Sequence, residues 1–441
     1  MGAYLDKPVT TKESFDGQYV SIEGDEEHIY AVSEMQGWRK TMEDAHITKP
    51  GIAEIDGEPV SIFGVFDGHG GKEVSAFVAN HFADELLSLE SFSNGDFKSA
   101  LPEAFHRMDD MLRLEENSAE LAKLRDQDDA VTTSAENHSD DNEDDEDDSE
   151  GGEAKDGAGA AAAASTPATR ESIQADVKQR MDAAEQKGSL TKAEALELVM
   201  KMMKLKSMDE QEAGQQEEEG SIVGAKYTDA GCTAVVCLLH GAKLYVANAG
   251  DSRAVLSSGG VAKALSLDHK PTQEKELKRI RDAGGFVNEV GRVNGNLNLS
   301  RSIGDLKYKV DPKISPAAQI ITSEPDVKVF DLSDEDEFIF IACDGVFDVM
   351  TNQRVVTFIN EHLAKGEEDR TSAILEEIFE ECICDSPQTA QGIGADNMTA
   401  CVVLLKPISY FTDGGAKAHH HPSKTKSSRL FRTRSRNKTS S

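Results

Sequence analysis

The sequence predicts an α+β fold built on antiparallel strands. Three observations carry that reading: short runs rich in β-branched and aromatic residues, helical stretches between them, and connections too short for a purely parallel sheet. The strand runs are SIFGVFD (61–67), TAVVCLL (233–239), KLYVANA (243–249), EFIFIACD (337–344) and MTACVVLL (398–405). Helical stretches include KEVSAFVANHFADELL (72–87) and QEKELKRIRDAGG (273–285), the second stopped by Gly284 and Gly285. Asn294-Gly295 in GRVNGNLNLS has the chemistry of a hairpin turn.

Composition narrows the function classes. The 441 residues carry a net charge of −34, which would repel nucleic acid and anionic membranes alike. Only 38% of the residues are hydrophobic and 29% are charged, so part of the chain must stay outside the core. No stretch reaches the roughly 20 apolar residues of a membrane span. The opening MGAYLDKPVTTKESFDGQ is polar and contains no secretory segment. Cysteines 232, 237, 343, 382, 384 and 401 form no C-x-x-C pair. A reduced, intracellular protein without a zinc site is expected, in the nucleus, the cytoplasm or both.

The charge is concentrated. Residues 128–157 hold 14 Asp/Glu and one Lys, centred on SDDNEDDEDDSEGGE and running into AKDGAGAAAAASTPA. Such a segment cannot bury enough apolar surface to offset its ordering entropy, and disorder is expected. It is no EF-hand, because a loop starting at Asp145 has Glu150 where glycine is required. SLTKAEALELVMKMMKLKSM (189–208) has helical periodicity, with Thr191 and Glu194 as a capping box. QEEEG (216–220) closes an insertion placed at 116–221. Residues 417–441 reverse the sign, with eight Lys/Arg and no acid, and suit nuclear import, nucleic acid or an acidic partner. The divisions are therefore an N-terminal segment (1–24), one domain formed by 25–115 and 222–410, the insertion, and a basic tail (411–441).

Within the domain the strands end in acids. SIFGVFD finishes at Asp67 and continues Gly68-His69-Gly70-Gly71; EFIFIACD finishes at Asp344 and continues Gly345. Asp396-Asn397 precedes MTACVVLL, Asp251 follows KLYVANAG, and Glu43-Asp44 lie in GWRKTMEDAH. One such aspartate is commonly a turn or cap. Several gathered at strand edges would repel one another unless cations sat among them. Hard oxygen ligands without His/Cys clusters favour Mg²⁺ or Mn²⁺. Two such ions about 3.5–4 Å apart can acidify a water for attack on phosphorus. Arg39 offers a bidentate fork for a phosphate, and His69 has the right intrinsic pKa to protonate a leaving alkoxide. A metal-dependent phosphohydrolase is the best-supported class; a nuclease would need a basic track that the core lacks.

In order, GWRKTMEDAH, FGVFDGHGG, VANAGDSRAV, LDHKP, GRVNGNLNLSRSIGD, ACDGVFDVM and ADNMTACVV resemble the PPM (PP2C-type) metal-dependent Ser/Thr protein phosphatases over nearly all of the domain. The MGAYL start and the acidic insertion before DAGCTAVV resemble in particular the gamma-type branch, with its splicing-related and nuclear roles. The resemblance implies a four-layer α-β-β-α sandwich with two central antiparallel sheets. It implies that Asp67 bridges two Mn²⁺ or Mg²⁺ ions, that the Gly68 carbonyl, Asp344 and Asp396 complete the direct ligands, and that Glu43 and Asp44 hold bound waters. Asp251 and Asp348, with Asp344, match a weaker third metal position. Arg39 matches the phosphate-binding arginine and His69 the general acid. A hydroxide bridging the ions would attack phosphoserine or phosphothreonine in one in-line step.

Two positions depart from the pattern: Cys232 stands where serine is usual, and Phe347 replaces a common tryptophan. Cys232 reads as a small buried strand residue. Asp6 falls outside the M-G-x-x-x-[ST] signal, which argues against acylation of Gly2. No cysteine is followed six positions later by arginine, which excludes the C-x5-R phosphatases. Phosphoprotein substrates are expected, and the chain reads as a monomer. A non-enzymatic alternative is an acidic scaffold or chaperone-like binder of basic proteins through 128–157.

Overall fold

In the computed structural model, residues 4–20, 27–126, 228–366 and 370–412 are described. The acidic tract 128–157, the helix expected at 189–208, QEEEG, the basic tail 417–441 and Gly2 lie outside them.

The five apolar runs are strands because each buries both of its faces. β4 (Glu58–Phe66) directs Val60, Ile62 and Phe66 to one core and Phe63 and Val65 to another. β7 (Ala234–His240) does the same with Ala234, Val236 and Leu238 against Val235, Cys237 and Leu239. β13 (Asp336–Ala342) and β14 (Met398–Leu404) repeat the alternation in the other sheet, where Phe338 and Phe340 oppose Ile339 and Ile341. A strand buried on both sides reads as a continuous apolar run, which is why these five were visible in the sequence.

Added to them are β1 (Tyr4–Val20), β2 (Glu27–Arg39), β3 (Ala45–Ile55), β5 (Gly68–His69), β6 (Gly231–Cys232), β8 (Lys243–Ala249), β9 (Arg253–Ser258), β10 (Val261–Ala264), β11 (Ile303–Gly304) and β12 (Asp326–Asp331). One sheet runs β1-β2-β14-β13-β9-β10, a second β12-β8-β7-β4-β3, and a small third β11-β6-β5. Every pairing between these strands is antiparallel.

The inward faces of the two large sheets share one apolar core that includes Tyr30, Phe63, Val246, Leu256, Ile339 and Val403. The outer face of the five-stranded sheet packs on α1 (Glu73–Ser88), α2 (Glu90–Ser93), α3 (Phe97–Leu112) and α4 (Ser118–Asp126). The outer face of the six-stranded sheet packs on α6 (Asp344–Phe347), α7 (Asn352–Lys365), α8 (Ser372–Cys382) and α9 (Ile408–Thr412). The layers are therefore α-β-β-α, as expected. α5 (Glu274–Asp282) lies outside the layers and ends before Gly284, whose φ of +86° suits glycine. Asn294 and Gly295 take φ of +48° and +83° in the expected turn.

The edges of the folded region differ from those read in the sequence. Tyr4–Val20 is a strand hydrogen-bonded to β2, and the Tyr19 hydroxyl donates to the Leu404 carbonyl at 2.8 Å, so the fold begins well before residue 25. At the insertion, α4 runs past residue 115 because Leu121 and Leu124 complete the core around α1. β1 was not evident because it is an edge strand with one wet face, so polar residues interrupt its apolar ones.

Candidate metal centre

All the strand-end acids meet at one end of the two large sheets. β2, β4, β8 and β13 point their C-terminal ends there, and β3 and β14 begin there. Glu43 and Asp44 lie between β2 and β3, Asp67 and Gly68 follow β4, Asp251 follows β8, Asp344 opens α6, and Asp396 precedes β14. Oxygens of Asp67, Asp251 and Asp344 lie within 4.8 Å of one another, and Asp44, Asp67 and the Cys343 sulfur form a second such group. Asp396, Glu43 and Asp348 stand outside these two tight groups, with Asp348 exposed at the C-terminus of α6.

Backbone contacts fix the set. Gly68 passes so close to the Glu43 carbonyl that a Cβ would fall 2.0 Å from it, and a Cβ on Gly345 would fall 2.0 Å from the Asn397 carbonyl. Both positions therefore require glycine. Asn397 accepts from the Glu43 amide at 2.9 Å and donates to the carbonyls of Gln36 and Thr41 at 2.8 and 3.0 Å. One side chain thus clamps the Arg39–Asp44 segment onto the start of β14. The Asp67 carbonyl accepts from the Thr233 amide at 2.8 Å.

The electrostatics are those of an unsatisfied anion cluster. Burial, then Asp344, Asp44, Asp251 and Asp396, hold the Asp67 carboxyl well above the usual range. Asp344 is raised likewise by burial, Asp251, Asp396 and Asp348. Asp44 is pushed up to about 7, mainly by burial. Among the described residues, one buried oxygen of Asp44 and one of Asp251 have no hydrogen-bond partner. Carboxylates crowded this closely ionise together only with cations among them, and the oxygen donors of Asp67, Asp251 and Asp344 suit Mg²⁺ or Mn²⁺.

Arg39 donates to Asp396 at 2.6 Å, with its side chain about 44% exposed at the mouth. His69 meets Asp305 through Nε2 at 2.7 Å. Burial lowers the His69 pKa, but the Asp305 carboxylate outweighs it and the net shift is upward.

Several residues at this site escaped the sequence reading. Asp305 is held by the Ser302 hydroxyl at 2.6 Å and has a left-handed φ of +50°. Behind it, Lys309 donates to Asp109 at 2.6 Å and to the Ser302 carbonyl at 2.8 Å, while Asp109 accepts from the Gly304 amide. The Gly304-Asp305 pair after an apolar residue was the available signal. Asn397, Cys343 and Lys270, which pairs with Asp251, were also unassigned. Cys232 is buried in β6, where burial pushes its thiol well up, as suits an inert strand residue. Phe347 packs edge-on to Phe340 beneath the Arg253 guanidinium.

The family described as Protein phosphatase 2C matches residues 29–135 and 126–386. The chain belongs to the protein phosphatase 2C family. It is 36% identical over 408 residues to a probable protein phosphatase 2C 3 of Paramecium tetraurelia, covering 92% of this chain and all of that one. Probable protein phosphatase 2C 58 of rice (Oryza sativa subsp. japonica) is 36% identical over 410 residues, covering 93% and 91%. A phosphatase crystal structure from Toxoplasma gondii shares the fold with a TM-score of 0.51 at 19% identity, covering 89% of this chain and 95% of that one. As a PP2C-type phosphatase the chain is a protein serine/threonine phosphatase, an enzyme whose substrates are phosphoproteins. Among the described residues, no helix is long and apolar enough to cross a membrane.

Proposed function

We propose that the strand-end acids form a two-cation centre that hydrolyses phosphoserine and phosphothreonine without a phosphoenzyme. The observation that carries this reading is the meeting of Asp67, Asp251 and Asp344 oxygens within 4.8 Å, with Asp67 and Asp344 raised far above the usual carboxylate range. Asp67, the Gly68 carbonyl, Asp344 and Asp396 would hold two Mn²⁺ or Mg²⁺ ions, Glu43 and Asp44 would hold their waters, and Asp251 and Asp348 would share a weaker third ion with Asp344. When bound, the ions supply the Lewis acidity that makes a water nucleophilic at neutral pH.

The chain's own groups do the rest. Arg39, half in solvent, has N–H donors left over from Asp396 with which to take phosphate oxygens in bidentate fashion. Asp305 favours the protonated form of the His69 imidazole and fixes its orientation through Nε2, which would leave an Nδ1 proton for the departing alkoxide. The buried Lys309–Asp109 pair keeps the Ser302–Asp305 loop, and through it His69, in place.

The folded limits support a phosphatase domain made of two sequence segments on either side of the insertion, running to residue 412. The MGAYL start and the acidic stretch within 116–221 support a place near the gamma-type branch, and the basic residues of 417–441 support a nuclear address.

Hydrolysis of a phosphothreonine peptide with Mn²⁺, with Mg²⁺ and with EDTA tests the reading. Release that EDTA stops and added metal restores is expected. Release that persists in EDTA would overturn it.

A further inference from the structure

Asp251 is the most deeply buried acid of the centre, about 1% exposed, and only one of its oxygens is satisfied. That oxygen, Oδ2, accepts from the ammonium of Lys270, while Oδ1 has no partner among the described residues. Lys270 belongs to the LDHKP segment that follows β10, and its loop is fastened to the turn carrying Asp251. The His269 amide donates to the Gly250 carbonyl at 2.9 Å, and the Gly250 amide donates back to His269 Nδ1 at 3.3 Å. The Ser300 hydroxyl adds a third tie by donating to the His269 carbonyl at 2.9 Å. The ammonium is therefore delivered to the acidic cluster by an anchored backbone. It also lies within electrostatic reach of Asp344 and Asp348.

We propose that Lys270 is a tethered cation: its ammonium holds the ground among Asp251, Asp344 and Asp348 that a third divalent ion would take, and that ion binds only by displacing it. The inference rests on the metal-centre reading above and assigns a role to a residue outside the ligand set. A lysine ammonium is a compact point charge on a flexible stem, able to neutralise one carboxylate and to swing away when a divalent ion competes. Because it is attached, it competes at an effective concentration set by its own side chain rather than by the solution. That weakens the third position selectively, since Lys270 makes its hydrogen bond to Asp251 while Asp396 is engaged by Arg39. A purely structural ion pair would behave differently: its loss would lower stability and leave cation binding alone.

The test counts Mn²⁺ bound to the full chain, by calorimetry and by the spin-resonance signal of free Mn²⁺, in the wild type, Lys270→Met, Lys270→Gln and Lys270→Arg. Two ions should bind alike in all four proteins. The third should bind at least ~10-fold tighter in the Met and Gln variants, a conservative effect for removing a unit charge beside a divalent ion in a partly screened site. Lys270→Arg should keep the third ion weak. Two filled sites with a third whose affinity is unchanged or lower in both neutral variants would overturn the proposal. A folded wild type that binds no Mn²⁺ would instead overturn the metal-centre reading, and the role of Lys270 with it, which is a distinguishable result.

Discussion

Glu276 and Asp251 are equally buried acids in one domain, yet their surroundings are built in opposite ways. Both oxygens of Glu276 are taken: Arg301 bonds them at 2.7 to 3.2 Å, Ser300 donates at 3.0 Å, and Arg279 adds a further ion pair. Burial would raise its pKa, but the two guanidinium groups overcome that and hold it down at about 2. Arg301 continues to Asp326 at 3.0 Å, so each charge in the network meets one of opposite sign. At the sheet ends the same fold gathers Asp67, Asp251, Asp344 and Asp44 with Lys270 beside them, and among the described residues it leaves oxygens of Asp44 and Asp251 without partners. A closed network of charge holds structure. An open one, which the folded chain does not neutralise by itself, calls for a ligand of opposite sign.

Substitutions sharpen the comparison. Asp67→Asn or Asp344→Asn should lower kcat by on the order of 10³-fold or more while the protein stays folded, because the lost group holds charge in the reaction rather than in the fold. A rate within a few-fold of wild type, measured on a phosphothreonine peptide, would place the reaction elsewhere. Glu276→Gln should do the reverse. It removes the carboxylate charge that two buried guanidinium groups share and should cost about 3 kcal/mol in urea unfolding, with kcat of the folded fraction unchanged.

The two networks also respond oppositely to pH. In chelated protein, Asp44 titrates near 7 and Asp67 and Asp344 are raised with it. The folded chain then keeps protons that the unfolded chain has released, so stability falls as pH climbs from ~4 through 7. Added Mn²⁺ should remove that slope. A urea midpoint that is flat or rising over the same range without metal would contradict the account. Glu276, lowered instead, contributes stability above the ordinary glutamate pKa that is lost as pH falls toward 2.

The smallest expected effect concerns His69. Asp305→Asn removes the group that raises its pKa, so the alkaline limb of the kcat profile should move to lower pH. An unmoved limb would separate Asp305 from the proton donor.

Much of this molecule was legible in the sequence, and for a physical reason. The five central strands bury both faces and so read as unbroken apolar runs, and Asp67, Asp251, Asp344 and Asp396 stand out because each borders one of them beside a glycine or asparagine. β1, β2 and β3 carry mixed polar faces, so their period was obscured. Asp305 and Lys270 were hidden because their roles depend on contacts across space. Asp305 meets a histidine 236 residues away, so the Gly304-Asp305 pair could mark an acid of interest but not the partner it meets. Asn397 stood beside a noticed aspartate, but its clamp on Gln36, Thr41 and Glu43 exists only once β14 lies against β2.

The most direct test of the central claim is anomalous scattering from crystals grown with Mn²⁺, read at the sheet ends. Two strong peaks among the carboxylates of Asp67, Asp344 and Asp396 are the predicted result. Well-ordered carboxylates with no peak among them, in protein that still dephosphorylates a peptide, would contradict it.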